Sequence, residues 1–206
     1  MRYLLYLSYD GSKFDGFAKQ KGKKTVQGKI EEVLNERFQR EISIVGSGRT
    51  DKGVHAYKQC AHFDIDNPVE LKKLRFYLNT NLKREIYVTK IDEVDDKFHA
   101  RFSVKMKQYL YKINVGTYNP IEKDYVYQYC KKLDLKKIKK VNKLLKGTHN
   151  FKVFTPHKNL KTSYIRTIYD IKVEKNKDYV YIYITASGFL WHMIRNIIGL
   201  YISVNE

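Results

Sequence analysis

The chain has 206 residues, and its 43% hydrophobic and 14% aromatic content excludes a disordered protein. Lys and Arg number 40 against 22 Asp and Glu, which gives a net charge of +18. This surplus predicts a polyanionic partner, with nucleic acid ahead of a membrane surface, because each neutralised phosphate releases counterions. A lysine-rich proteome is the alternative source of the charge.

The sequence of the first half of the chain predicts two helices and four strands. Thr25 precedes apolar residues at helical spacing and suits a helix cap, and Pro68 suits the first turn of a second helix. β-prone runs predict strands at 3–9, 42–45, 59–66 and 86–94. The resulting order, strand–helix–strand–strand–helix–strand, is that of a split βαβ, or ferredoxin-like, fold.

The second half predicts similar elements less clearly. Asp134 is expected to cap a helix that Gly147 ends, and a last helix starts near Ser187. Strands are expected at 109–115, 165–174 and 179–185. The outward face of the helix after Asp134 carries Lys136, Lys137, Lys139, Lys140 and Lys143. Each lysine alone is ordinarily a solvated surface residue, but the cluster suits contact with a phosphate backbone. We expect an α+β protein of two ferredoxin-like halves, 1–104 and 105–206, with antiparallel sheets and a basic cleft between them.

Cysteine usage and the apolar segments predict the compartment. Cys60 and Cys130 are too few and too far apart for a disulfide framework or a zinc site, so we expect reduced cytosolic thiols. The N-terminus lacks the pattern of a signal peptide. The most apolar tract, 188–204, contains charged and polar residues and is shorter than the ~20 residues that span a bilayer. We expect a soluble, cytoplasmic protein.

A glycine-rich stretch, Val45-Gly-Ser-Gly-Arg-Thr-Asp-Lys-Gly-Val-His-Ala56, is the first candidate site. Its three glycines permit backbone conformations and close approaches that side chains would block. Apolar alternating runs precede and follow it, so we expect a loop between two strands that holds Asp51 at one end of a sheet. The alternative is a turn in which Arg49 and Asp51 form a surface ion pair.

Other chemistries lack their motifs in this sequence. The six histidines are dispersed without metal-ligand spacing, and no phosphate-binding loop, GxGxxG fingerprint or GxSxG elbow occurs. What remains is a carboxylate on the glycine-rich loop. A carboxylate beside Arg49 stays ionised and is able to attack an electrophilic carbon such as the anomeric carbon of a sugar. Alternatively, Arg49 points away from Asp51, toward a phosphate or the space left by an extruded base.

Two residues of the second half are candidates to accompany Asp51. Tyr109 offers an aromatic face on which a base stacks, with core packing as the alternative. Arg195 stands among Met193, Ile194, Ile197 and Ile198, where an arginine needs a carboxylate partner. Asp51 is the candidate for that partner.

The sequence resembles the TruA-type tRNA pseudouridine synthases over nearly its whole length. The resemblance rests on GSGRTDKGVHA at 46–56, YDGS at 9–12, FHARFS at 98–103, Tyr109 and the segment 189–199. It implies that uridine becomes pseudouridine at positions 38 to 40 of the tRNA anticodon stem-loop, by a homodimer without cofactor or metal. Asp51 then matches the catalytic aspartate. Arg49 matches the arginine that helps flip the nucleotide, Tyr109 the tyrosine that packs on the base, and Arg195 the partner of the carboxylate.

The sequence also departs from the family. Phe17 stands where tryptophan is usual, Lys107-Gln108 stands where arginine is common, and the family continues beyond Glu206 with a further strand. We therefore expect either a naturally short form or a truncated one, and a truncated one would have an exposed sheet edge and an open site. The alternatives to a synthase are a non-catalytic tRNA-binding module derived from such an enzyme and a glycosidase-like enzyme that acts on another nucleoside.

Overall fold

The computed structural model describes residues 1–157 and 163–206 and divides the chain into two compact units, Met1–Val104 and Lys105–Glu206. Both units pack helices on sheets that are wholly or mainly antiparallel, which confirms the predicted α+β class. Among the described residues, no helix is both long and apolar enough to cross a membrane.

The first unit has the predicted order of elements. They are β1 (Arg2–Tyr9), α1 (Val26–Phe38), β2 (Val45–Gly46), β3 (Ala56–Asp64), α2 (Leu71–Asn81) and β4 (Ile86–Val94). The strands form an antiparallel sheet in the order β2-β3-β1-β4, as in a split βαβ fold. Alternate residues of β1, such as Leu5 and Leu7, lie in a core with Ile30 and Leu34 of α1 and Leu78 of α2.

The strand predicted at 42–45 is wrong, although Ile42 and Ile44 are buried as the alternation required. Only Val45–Gly46 pairs with β3. The Ile42 N–H instead donates to Asn35 Oδ1 (2.6 Å), and the Ile44 N–H donates to Glu31 Oε1 (3.0 Å). Side chains on one face of α1 thus take the hydrogen bonds that a neighbouring strand would have made.

Glu31 is the centre of this row of polar side chains on α1. It is only 2% exposed, and it accepts hydrogen bonds from the Ile44 N–H and from Gln27 Nε2 (2.9 Å). Lys19 Nζ, from the solvent side, lies 3.0 Å from the second carboxylate oxygen. Glu31 therefore connects α1 to the segment that leads into the glycine-rich loop.

We expect Glu31→Ala to lower the free energy of unfolding by about 2–3 kcal/mol, because it leaves the buried Ile44 N–H without its acceptor and removes one of the two acceptors of the Gln27 amide. Urea denaturation followed by circular dichroism measures the change. Glu36→Ala, at an exposed position of the same helix, is the control and is expected to stay within about 0.5 kcal/mol of the wild type. Equal losses in the two variants would contradict this role of Glu31.

The described residues of the second unit form five strands and two α-helices. They are β5 (Lys107–Asn114), β6 (Tyr127–Gln128), α3 (Leu135–Leu145), β7 (Gly147–Asn150), β8 (Ile165–Asn176), β9 (Tyr179–Ala186) and α4 (Met193–Ser203). The strand order is β6-β5-β9-β8-β7, with β6 parallel to β5 and the other pairs antiparallel. The hairpin predicted from 165 to 185 is confirmed by β8 and β9.

The predicted helix caps are confirmed at Thr25 and Asp134, whose side chains accept N–H groups of the first turns. Two predicted helix starts are wrong. α2 begins at Leu71 rather than directly after Pro68. α4 begins at Met193 rather than near Ser187, because Ser187 is still bound to β8: its N–H donates to the Thr167 carbonyl (2.9 Å).

Candidate active site

The glycine-rich loop covers residues 47–55 and joins β2 to β3 in the first unit. Its entry is fixed by two buried polar side chains, Ser47 and Gln59. The Ser47 N–H donates to the Cys60 carbonyl (2.7 Å) and the Ser47 hydroxyl to Gln59 Oε1 (2.5 Å). Gln59 Nε2 in turn donates to the Gly48 carbonyl (3.1 Å). The loop therefore leaves the sheet in one defined direction.

The middle of the loop rests on the segment that follows β1. The Thr50 carbonyl accepts the Phe17 N–H (3.0 Å), and the Thr50 hydroxyl lies 2.9 Å from the hydroxyl of Tyr9. The ring of Phe17 lies so close to Gly46 that a Cβ there would come within 2.4 Å of it. Burial raises the pKa of the Tyr9 hydroxyl, so this group stays protonated. These contacts fix the residue that precedes Asp51.

Asp51 begins a tight turn in which its carbonyl accepts the Val54 N–H (3.2 Å). The residue is half-buried, whereas Arg49 is exposed on the same loop. The neighbouring Lys52 Nζ bonds to Asp15 Oδ1 (2.8 Å), and this hydrogen bond lowers the pKa of the Asp15 carboxyl. The loop thus presents a partly accessible carboxylate on a backbone that is held on both sides.

The end of the loop lies against the turn after β1. His55 Nδ1 accepts the N–H of Gly11 (3.1 Å) and is also 3.1 Å from Asp10 Oδ1. One ring nitrogen cannot both accept the Gly11 proton and donate to Asp10. We assign it as the acceptor, because the Gly11 N–H is a fixed donor and Asp10 Oδ1 already accepts the N–H (3.0 Å) and hydroxyl (2.7 Å) of Ser12.

Tyr109 and Arg195 lie in the second unit, on β5 and α4. Tyr109 is half-buried, and its ring meets Phe189 edge to face at 5.1 Å between centroids. Arg195 is exposed, although Met193 and Ile197 of the same helix are buried. Burial raises the pKa of Tyr111, and the positive charge of Arg195 opposes that rise, so Arg195 lies near β5, the strand that also carries Tyr109.

The exposed position of Arg195 differs from the sequence-based expectation. The apolar neighbours of Arg195 pack into the core, whereas Arg195 itself is exposed. Its charge is therefore not buried, and the argument that a buried charge needs a carboxylate partner does not apply. The pairing of Arg195 with Asp51 stays a prediction.

The residues that support the loop, above all Ser47 and Gln59, were not predicted from the sequence. A signal was present for Gln59. It shares the inward face of β3 with Ala61 and Phe63, which are buried in the core. A polar residue at such a position requires a hydrogen-bond partner nearby.

Comparison with known proteins identifies the class of the chain. It is that of the pseudouridine synthases, which isomerise uridine in RNA. A family model described as tRNA pseudouridine synthase matches residues 6–103 and 141–206, and the chain belongs to this family. The resemblance noted in the sequence is thereby confirmed, and the chain is an isomerase that acts on tRNA.

Individual relatives are similar over nearly the whole chain. A tRNA pseudouridine synthase A 2 of Bacillus cereus is 41% identical over 98% of this chain and 83% of its own length. The tRNA pseudouridine synthase A of Malacoplasma penetrans is 42% identical over 100% of this chain and 85% of its own length. That of Mycoplasmoides gallisepticum is 43% identical over 95% and 74%, respectively.

Proposed function

We propose that the chain converts uridine to pseudouridine at positions 38 to 40 of the tRNA anticodon stem-loop in the cytoplasm, with Asp51 as the nucleophile. The observation that carries this proposal is the loop around Asp51. Its backbone is fixed by hydrogen bonds at Ser47, Thr50 and Val54, while the side chain of Asp51 is only half-buried. A nucleophile on a fixed backbone needs little further ordering before it attacks.

The reaction is an isomerisation, so its atoms and electrons balance within the substrate. The Asp51 carboxylate attacks the target nucleoside, and the bond between uracil N1 and ribose C1′ breaks. The base turns over, C5 bonds to C1′, and Asp51 is released. C5 loses its hydrogen as a proton, and N1 gains a proton.

Three further residues have roles in this proposal. Arg49 is exposed beside Asp51 and supports the extrusion of the target nucleotide from the stem, which costs on the order of a few kcal/mol. Tyr109 packs on the extruded base and takes up the C5 proton, and its edge-to-face contact with Phe189 supports a fixed ring. Arg195 pairs with the carboxylate of Asp51. We propose a homodimer as the active form.

The charge of the chain supports a tRNA stem as the bound surface. A double-stranded stem is recognised mainly through its shape and phosphates, and +18 favours binding to phosphates. The five lysines on the outward face of α3 are all exposed, as phosphate contacts require.

Tritium release tests the function and the position together. Three tRNAs, each with a single C5-tritiated uridine at position 38, 39 or 40, are incubated with the protein. We expect tritium in water from at least one of them and no free uracil. Binding without release would indicate the non-catalytic module, and free uracil would indicate a glycosidase. No release from any of the three, together with release from a tRNA tritiated at C5 of every uridine, would contradict the proposed position.

A further inference from the structure

The segment 98–103 follows β4, and the proposed reaction gives it no role. Phe102 is 76% exposed, one of the most exposed aromatic side chains in the described part of the chain. A single exposed apolar side chain is ordinary on a protein surface. The surroundings of Phe102 are not ordinary, because both its backbone and its ring are held in place.

Four hydrogen bonds close the turn that carries Phe102. The His99 carbonyl accepts the N–H groups of Phe102 (2.9 Å) and Ser103 (2.7 Å). The Ser103 hydroxyl accepts the His99 N–H (3.0 Å), and His99 Nδ1 accepts the Arg101 N–H (3.2 Å). Surface loops usually have more freedom than this. The turn is a rigid support for the side chains of Arg101 and Phe102.

The ring of Phe102 is the outer end of a row of three contacting aromatic rings that begins in the protein interior. His62, only 3% exposed, accepts the N–H of the buried Ala100 at Nδ1 (3.1 Å). Burial lowers the pKa of His62, so the ring is neutral at neutral pH and Nδ1 remains an acceptor. The His62 and His99 rings meet edge to face with 4.9 Å between centroids, and the tilted His99 and Phe102 rings are 4.4 Å apart with 31° between their planes.

A cation accompanies the outer ring. The guanidinium carbon of Arg101 lies 5.8 Å from the centroid of Phe102, and both side chains are exposed. An aromatic face with an adjacent guanidinium is the combination that binds a single nucleotide, with the base on the ring and the phosphate on the cation. We propose that His99, Arg101 and Phe102, the aromatic platform, bind one unpaired nucleotide of the tRNA outside the reaction site.

The nucleotide has to be unpaired, because bases inside a stem are stacked on each other and offer no free face. Phe102 then takes the base as the next ring of the row, and the Arg101 guanidinium moves from over the Phe102 ring onto the phosphate. This inference rests on tRNA as the substrate. It adds a contact that would fix the position of the tRNA on the enzyme.

Phe102→Ala tests the platform through the Kd for unmodified tRNA, measured by filter binding at fixed salt. We expect Kd to rise roughly 5- to 150-fold, the range for loss of one stacked base. Phe102→Trp should bind as tightly as the wild type or tighter, and Phe102→Leu should stay weakened because it lacks a π face. Phe76→Ala is the matched control, since Phe76 is also 76% exposed but lies on α2, and its Kd should not change.

Arg101→Gln tests the phosphate contact separately. The slope of log Kd against log salt should fall by roughly 0.7 to 0.9, the value for one phosphate contact. An unchanged slope would remove Arg101 from the proposal.

Three outcomes would overturn the platform: an unchanged Kd in Phe102→Ala, an equal loss in Phe76→Ala, or recovery by leucine as complete as by tryptophan. A shift of Phe102→Ala to monomer in sedimentation, with the monomer binding tRNA normally, would assign Phe102 to a subunit contact instead. The platform and the proposed reaction fail separately. If Phe102→Ala binds tRNA normally and the wild type releases tritium, only the platform is contradicted. If Phe102→Ala binds tRNA more weakly than the wild type but the wild type releases no tritium, only the proposed reaction is contradicted.

Discussion

Asp51→Asn should abolish tritium release from C5-labelled tRNA, with the single-turnover rate at least about 10⁴-fold below that of the wild type. Asparagine has nearly the same shape as aspartate and keeps the backbone contacts of the loop, such as the bond from the Val54 N–H to the Asp51 carbonyl. It lacks the ionised oxygen that would attack the nucleoside. The loss should therefore fall on the chemical step, and the Kd for tRNA should change less than about threefold.

Asp66→Asn is the control for this experiment. Asp66 lies just beyond β3, at the end of the strand opposite the loop, and is an exposed partner of Arg40. The same chemical change there should leave the rate of tritium release unchanged. If Asp51→Asn released tritium at the rate of Asp66→Asn, Asp51 would not be the nucleophile. If the Kd of Asp51→Asn for tRNA rose as much as its rate fell, Asp51 would instead serve to hold the tRNA.

The loop around Asp51 could be predicted from the sequence because its information is local. Glycines, a hydroxyl and opposite charges within a few residues indicate an ordered turn, and the alternation after it indicates the strand that supports it, β3. The supports of the loop are not local. Gln59 reaches the Gly48 carbonyl only because the register of β3 against β2 brings the two together, and no sequence pattern specifies that register in advance.

The incorrect strand at 42–45 has a related cause. Alternating burial of Ile42 and Ile44 was predicted correctly, but alternation states only which side chains face the core. It does not state what bonds to the backbone, and here the partners are Asn35 and Glu31 on α1. The spacing of polar residues by four along α1 was the available signal.

Side-chain direction also limited the sequence-based interpretation of α4. The apolar residues around Arg195 suggested a buried guanidinium, but a helix turns about 100° per residue and a single position among apolar neighbours can face solvent. Arg195 does so, while Met193, Ile197 and Ile198 pack into the core. A helical projection of 193–203, rather than composition alone, separates these two cases.

Gly11→Ala should be among the most damaging single substitutions in the first unit. A Cβ on Gly11 would lie 2.1 Å from the carbonyl oxygen of Val54 and 2.4 Å from its carbon, and both are backbone atoms that cannot move aside as a flexible side chain does. We expect a loss of about 4 kcal/mol or more in the free energy of unfolding, measured by urea denaturation. Because Val54 is close to Asp51 in the chain, relief of the clash would displace the loop, and a shift of about 1 Å would lower the rate of tritium release about 100-fold.

Gly199→Ala separates this close contact from the general effect of adding a methyl group. Gly199 is an exposed residue of α4, and a Cβ added there would meet no neighbouring atom within 4 Å. Because alanine has the higher helix propensity, the free energy of unfolding should rise by up to about 1 kcal/mol. A Gly11→Ala variant that stayed within about 1 kcal/mol of the wild type would mean that the turn after β1 is not packed against the loop. A variant that lost stability but kept the full rate would mean that the position of Asp51 does not depend on that contact.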